Sequence, residues 1–189
     1  MNLFSDGVFA RLPVIDTPRL RLRPMTMADA WDVFEYSSDP KVSEHVLWDT
    51  HRSIADSKAY LRYILRQYRN NEPSSFGIVF QKTGRLIGTI GFMWWNQQFR
   101  AAEVGYSLSR AFWNQGLATE ALKAVIRFGF EEMSLYRIEA QHEIDNPASG
   151  AVMGKAGMRK EGVLRGRLYN KGRQIDVCLY AILRGDPRL

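Results

Sequence analysis

An amphipathic helix wedged between two strands is the feature that most restricts what this chain can become. After Gly116, the residues Ala118, Ala121, Leu122, Val125, Ile126, Phe130 and Met133 recur at helical spacing. Ala102 to Leu108 before it and Tyr136 to His142 after it both read as strands. A helical crossover lets the strands it joins run parallel, which a short turn never can.

Hairpin logic surrounds that crossover. Ser75 to Gln81 and Leu86 to Trp95 alternate as strands across Lys82-Thr83-Gly84-Arg85, with glycine in the turn. Upstream, Arg19-Leu20-Arg21-Leu22-Arg23 puts two leucines on one face and three arginines on the other. Thr26 with Asp29 marks a helix start for Ala30 to Tyr36, which Asp39-Pro40 ends. Ser53 caps a second helix reaching Asn70. Downstream, Pro147 opens a helix to Lys155 that Gly157 stops, and Met158 to Arg167 and Gln174 to Leu183 are the last strands. The order is strand, two helices, three strands, helix, strand, helix, two strands. It predicts one mixed α/β sheet of seven strands, mostly antiparallel with a central parallel pair, and helices on both faces.

With 189 residues the chain is long enough for one core. Residues 1–16 read as an N-terminal arm and 17–186 as a single domain. No apolar run approaches the roughly 20 residues that span a bilayer, and the N-terminus lacks the order of a secretory signal. Cys178 is the single cysteine, so no internal disulfide forms and no metal is expected. A reduced, cytoplasmic protein is the expectation, monomeric or homodimeric.

The formal net charge is +6, and Lys155 to Arg173 alone holds seven basic residues against Glu161. Such a stretch suits an anionic partner, a phosphorylated cofactor or RNA, and suits equally a solvated hairpin. A strand feeding a glycine-containing turn into a helix start is an anion site, because the first helical N–H groups lack internal partners. Here the turn is Trp113-Asn114-Gln115-Gly116-Leu117-Ala118-Thr119. It is neither a Walker loop nor GxGxxG.

Ala102-Glu103-Val104-Gly105-Tyr106-Ser107-Leu108-Ser109 followed by that turn resembles the acetyl-CoA motif of the GCN5-related N-acetyltransferase superfamily. Trp113 at the first motif position is similar to its RimJ/RimL-type ribosomal-protein branch, and Asn114 stands where that branch usually has glycine. Asp145-Asn146-Pro147-Ala148-Ser149, then Lys155-Ala156-Gly157-Met158, resembles the second motif, with Met158 replacing an aromatic residue. Thr17-Pro18-Arg19-Leu20-Arg21-Leu22-Arg23-Pro24 and Asp176-Val177-Cys178-Leu179-Tyr180-Ala181 match the same branch.

The resemblance implies the acyl-CoA N-acyltransferase fold, its parallel pair splayed around the pantetheine arm of acetyl-CoA, the co-substrate. It implies that the Leu108 backbone holds that arm. The N–H groups of Asn114, Gln115, Gly116, Leu117, Ala118 and Thr119 would hold the pyrophosphate, and Asn146 and Ser149 would face the arm from the other side. Ser149 would protonate the leaving thiolate, and Glu103 would be the base for the ammonium. Bland readings stand beside these. Asn146 caps the following helix, Ser149 is exposed in its first turn, and Lys155 and Arg159 favour a helix C-terminus. Glu103 is solvated or pairs with an arginine. His45, His51 and His142 are further titratable candidates. Trp48, Trp94, Trp95 and Tyr106 are candidates for an acceptor slot, with Trp94 and Trp95 on opposite faces.

The acceptor expected from the branch is a protein N-terminal α-amine, in its specific form that of a ribosomal protein, with RNA contact only through that acceptor. A small-molecule amine is the alternative, and a catalytically silent acetyl-CoA sensor is the alternative of another class. An RNA-binding protein that uses the basic hairpin ranks behind both.

Overall fold

The computed structural model describes residues 7–186. The first six residues of the expected arm lie outside the described residues. One sheet of eight strands runs β1-β2-β3-β4-β5-β6-β8-β7. Its strands are β1 (Ile15–Asp16), β2 (Leu20–Arg23), β3 (Ser75–Phe80), β4 (Arg85–Asn96), β5 (Ala101–Leu108), β6 (Arg137–Glu143), β7 (Arg159–Asn170) and β8 (Arg173–Leu183). Every neighbouring pair is antiparallel except β5 and β6. The parallel pair flanks α4 (Leu117–Glu131), as a helical crossover requires.

The mixed α/β architecture is the expected one, with one strand more. The extra strand is β1, only two residues long, inside the segment expected to be an arm. Two residues cannot display a period of two, so no alternation marks them. Ile15 faces Leu22 and Asp16 faces Arg21, with the Arg21 guanidinium 2.8 Å from the Asp16 carboxylate. The arm also joins the core, with Val8, Phe9 and Leu12 buried. The Phe9 ring meets Phe92 and Trp95 edge-on at 5.9 and 5.6 Å. Its N–H donates to Asn71 Oδ1 at 2.9 Å, beyond the end of α3 (Ile54–Asn70).

The sheet is covered on both faces. On one, α4 and α5 (Pro147–Lys155) pack Leu117, Leu122, Val125, Phe130 and Met153 against Leu20, Ile90, Val104 and Ile138. On the other, α1 (Ala30–Ser37) and α3 pack Val33, Tyr36, Leu61 and Ile64 against Val79 and Leu86. A bulge in β4 matters for the site. Phe92 pairs with Val104, but Trp94 pairs with Glu103, so Met93 is the extra residue. The bulge leaves Phe92 and Trp95 packed on the α4 face and turns Trp94 toward Glu103.

Asp39-Pro40 does more than end α1. Pro40 also opens the short helix α2 (Pro40–Ser43), and Asp39 accepts from Lys41 N–H at 3.0 Å. Proline fits a first helical position because its missing N–H would be unpaired there anyway.

Thr26 and Asp29 form the capping box that the sequence predicts. Asp29 is buried, and it takes the Arg23 guanidinium in two hydrogen bonds at 2.6 and 2.9 Å. Burial pushes its carboxyl up, but Arg23 and Thr26 outweigh that and hold it below its ordinary value. A lowered folded pKa gives stability that is present above the unfolded pKa and lost as pH falls through the folded one. Asp29→Asn should therefore cost about 2 kcal/mol at pH 7, since it leaves Arg23 without its partner. Denaturant melts of both proteins should converge as pH drops below the ordinary 3.8.

Candidate active site

The parallel ladder is short. It joins Ala101 to Arg137, Ala102 to Ile138 and Glu103 to Glu139, and then stops. From there β6 continues against β8 to Glu143, while β5 continues alone to Leu108 on that side. Ser109 N–H donates to Ile87 C=O at 2.7 Å, which makes Gly88 and Leu108 a non-hydrogen-bonded pair. The Leu108 N–H and C=O therefore point away from β4, into the gap. Trp113 Nε1 donates to that carbonyl at 2.7 Å, so Trp113 fixes the mouth of the gap from above.

A cleft of about 410 Å³ fills this opening. One wall is Tyr106, Ser107 and Leu108 with the turn Trp113, Asn114, Gly116, Leu117, Ala118 and Thr119. The second is Asn146, Ala148, Ser149, Val152 and Lys155 on and before α5. The third, which no sequence motif marks, is Lys41 to Val46 from α2 and the loop after it, short of Ser43.

Two left-handed residues shape the turn, Asn114 at φ +58° and Gly116 at φ +74°. Asparagine tolerates that region better than most residues, so its replacement of glycine keeps the geometry. Gly116 is the N-cap of α4, and the first main-chain bond of the helix runs from Glu120 N–H to Gly116 C=O at 3.0 Å. The N–H groups of Leu117, Ala118 and Thr119 precede that bond, at the positive end of the helix dipole.

A brace holds the turn from behind. Arg19 donates to Gln115 C=O at 2.8 Å and pairs with Glu120 at 2.7 Å, and Thr17 Oγ1 donates to Glu120 at 2.6 Å. Burial raises the Glu120 carboxyl, but those donors more than offset it and the group stays below its ordinary value. The Gln115 side chain folds back on Ala111 C=O and is not part of the cleft wall.

On the opposite wall Asn146 accepts from Ser149 N–H at 3.4 Å, so it caps α5 and lines the cleft at once. Ser149 Oγ lies 2.9 Å from Tyr106 Oη, and that phenol also donates to Ser149 C=O at 2.9 Å. Burial raises the Tyr106 pKa, so the phenol stays protonated. This link across the gap joins two residues that are 43 positions apart.

Glu103 ends the parallel ladder but does not line the cleft. Trp94 Nε1 donates to one oxygen at 2.7 Å and Gln141 Nε2 to the other at 2.9 Å. Burial raises its pKa against those two donors. His51 Nδ1 sits between the Ser37 and Ser57 hydroxyls at 2.7 and 2.8 Å. His142 is buried, with Nδ1 on Glu143 C=O at 2.7 Å. His45 alone of the three is on the cleft wall. Among the described residues no cluster of His, Cys, Asp or Glu could hold a metal ion, and no helix is long and apolar enough to cross a membrane.

Comparison with known proteins gives this geometry a context. The family described as acetyltransferase (GNAT) domain matches residues 19–159. The N-acetyltransferase p20 of Bacillus licheniformis, itself uncharacterized, is 34% identical over 170 residues, 90% of this chain and 96% of its own. The [ribosomal protein uS5]-alanine N-acetyltransferase of Escherichia coli is 28% identical over 91% of both chains. The crystal structure of a GNAT-family acetyltransferase from Bacillus anthracis superposes with a TM-score of 0.80 at 28% identity, covering 90% of this chain and 98% of that one.

Gly116→Val tests the turn. A β-branched residue at φ +74° is strained by roughly 1–2 kcal/mol, and its Cβ would come 3.5 Å from the Arg19 guanidinium. Calorimetry should show acetyl-CoA affinity at least ~10-fold weaker, with Tm lowered by only about 2–8 °C. Unchanged affinity in the folded variant would remove this turn from the cofactor site.

Proposed function

The chain belongs to the acetyltransferase (GNAT) family, and from that premise we propose that it moves the acetyl group of acetyl-CoA onto the α-amine of a protein N-terminus. The observation that carries acyl transfer is the cleft itself. One wall offers three helix-start N–H groups to a pyrophosphate, and the gap between β5 and β6 takes an extended arm. Support for a protein α-amine, with a ribosomal-protein acceptor as the specific form, comes from the 28% identity to the uS5-alanine enzyme across nearly the whole chain.

Each wall has a task in this reading. Asn114, Gly116, Leu117, Ala118 and Thr119 hold the pyrophosphate, with Gln115 contributing main chain only. The Leu108 N–H holds the pantetheine arm. Asn146 keeps the start of α5 in place, and Ser149, hydrogen-bonded to Tyr106, supplies the proton to the departing CoA thiolate. Glu103, where the ladder ends and off the cleft wall, is held by Trp94 and Gln141 and does not take the base's role in this reading. Holding both reactants in one cleft supplies much of the acceleration. Lys41 and Lys155 on the cleft wall disfavour a polycationic acceptor.

The test is acetylation by the purified protein of a panel read by mass spectrometry. The panel contains peptides beginning with alanine, serine or methionine, an N-terminally blocked lysine peptide, a polyamine and an aminoglycoside. Acetyl groups on peptide α-amines are expected. Turnover confined to the small amines would replace the acceptor class, and tight acetyl-CoA binding with no turnover would make the chain a sensor. Ser149→Ala should lower kcat about 10²-fold and leave KM for acetyl-CoA within about 3-fold.

A further inference from the structure

His45 stands on the wall of the cleft that also holds the Ser149 and Tyr106 pair, and its ring is oriented from behind. Its Nδ1 lies 3.0 Å from Glu143 Oε2. Glu143 is the last residue of β6 and is only 4% exposed. Its carboxylate is itself held, by Arg173 on Oε2 at 3.1 Å and by Asn170 Nδ2 on Oε1 at 3.3 Å. Asn170 Nδ2 also donates to Val46 C=O at 3.1 Å, and Lys171 Nζ donates to Ser43 C=O. The β7–β8 hairpin thus grips the loop that carries His45.

That arrangement has a chemical consequence. A carboxylate on Nδ1 keeps the proton there and leaves the lone pair on Nε2. No described residue hydrogen-bonds Nε2. The two other histidines are placed differently. His51 is held between two hydroxyls away from the cleft wall. His142 Nε2 faces the α5 backbone, where a Cβ on Gly150 would come within 2.5 Å of it. Glu103 has both oxygens occupied and lies off the cleft wall.

We propose that His45, oriented by Glu143, is the base that takes the proton from the acceptor ammonium in this reaction. The inference rests on the acetyl-transfer reading and deepens it. The ammonium gives one proton to His45 Nε2, and the freed nitrogen lone pair attacks the thioester carbonyl carbon. The carbon–sulfur bond then breaks and its electron pair leaves on sulfur. The nitrogen passes its second proton to Ser149 on becoming an amide, as Ser149 gives its own to the thiolate, so the serine ends as it began. His45 returns its proton to water. The imidazolium formed on the way sits against Glu143, in a surround that also holds Arg173 of β8, Lys171 of the hairpin, and Glu44 and Lys41 beside the loop.

The test is steady-state kinetics of wild type, His45→Gln and His45→Asn between pH 6 and 9.5. It uses whichever amine of the panel above wild type acetylates fastest. Both amides can still donate to Glu143, so the grip on the loop survives while the cleft-facing base is gone. The expected result at pH 7 is a kcat loss of about 10²–10³-fold, with acetyl-CoA affinity by calorimetry within about 3-fold. The loss should shrink as pH rises past the amine's own pKa, about 8 for a peptide α-amine, because a neutral amine needs no base. A kcat within 3-fold of wild type, or a deficit equal at every pH, would overturn the assignment. If wild type acetylates no amine in the panel, the acceptor reading falls and this inference falls with it.

Discussion

The site depends on a ladder that ends early. Three residue pairs join β5 to β6, and beyond Glu103 the two strands part. Unpaired main-chain groups inside a protein are expensive unless something satisfies them. The gap is tolerable because each side has a use for its edge. β6 turns its full length to β8, and Val104 to Leu108 of β5 stay paired with β4. What remains is the inward edge of Val104, Tyr106 and Leu108, and one of its carbonyls is taken by Trp113. An extended ligand that presents alternating donors and acceptors completes such an edge much as a strand does.

The turn above the gap shows how strain and support are balanced. Asn114 and Gly116 both adopt left-handed conformations within three residues. A chain so bent needs an outside anchor, and Arg19 on the approach to β2 provides it through Gln115 C=O and Glu120. The brace also explains an acidic residue in the first turn of α4. Glu120 favours the helix start electrostatically, yet its carboxylate is turned back onto Thr17 and Arg19, away from an incoming anion.

The parallel crossover, the turn, the cap at Asn146 and the alternation of Leu20 with Leu22 were legible because each follows from a local period or a local conformational demand. β1 was not, since two residues carry no period. Neither was the third cleft wall, because Lys41 to Val46 reach the cleft through tertiary packing alone. Pro40 shows the limit of a breaker rule, since the residue that closes α1 is favoured at the start of α2. The brace at Arg19 was hidden, because alternation places the three arginines of that strand on one face without naming their partners. The resemblance singles out Glu103, but the neighbours that hold it stay hidden, because the Met93 bulge that turns Trp94 toward it leaves no mark in the alternation.

The basic stretch from Lys155 to Arg173 looked in sequence like one electrostatic field. In the fold its members divide. Lys155 lines the cleft, while Arg159 pairs with Asp186. Arg173 serves Glu143 and Asp145, and Lys171 reaches the main chain of Ser43. A cation spent on a buried carboxylate or a carbonyl adds little to a field that steers a distant anion. The excess charge of this hairpin therefore serves in part as a latch. It ties the late strands to the loop after α2, so that wall of the cleft is held by residues the chain lays down more than 120 positions later.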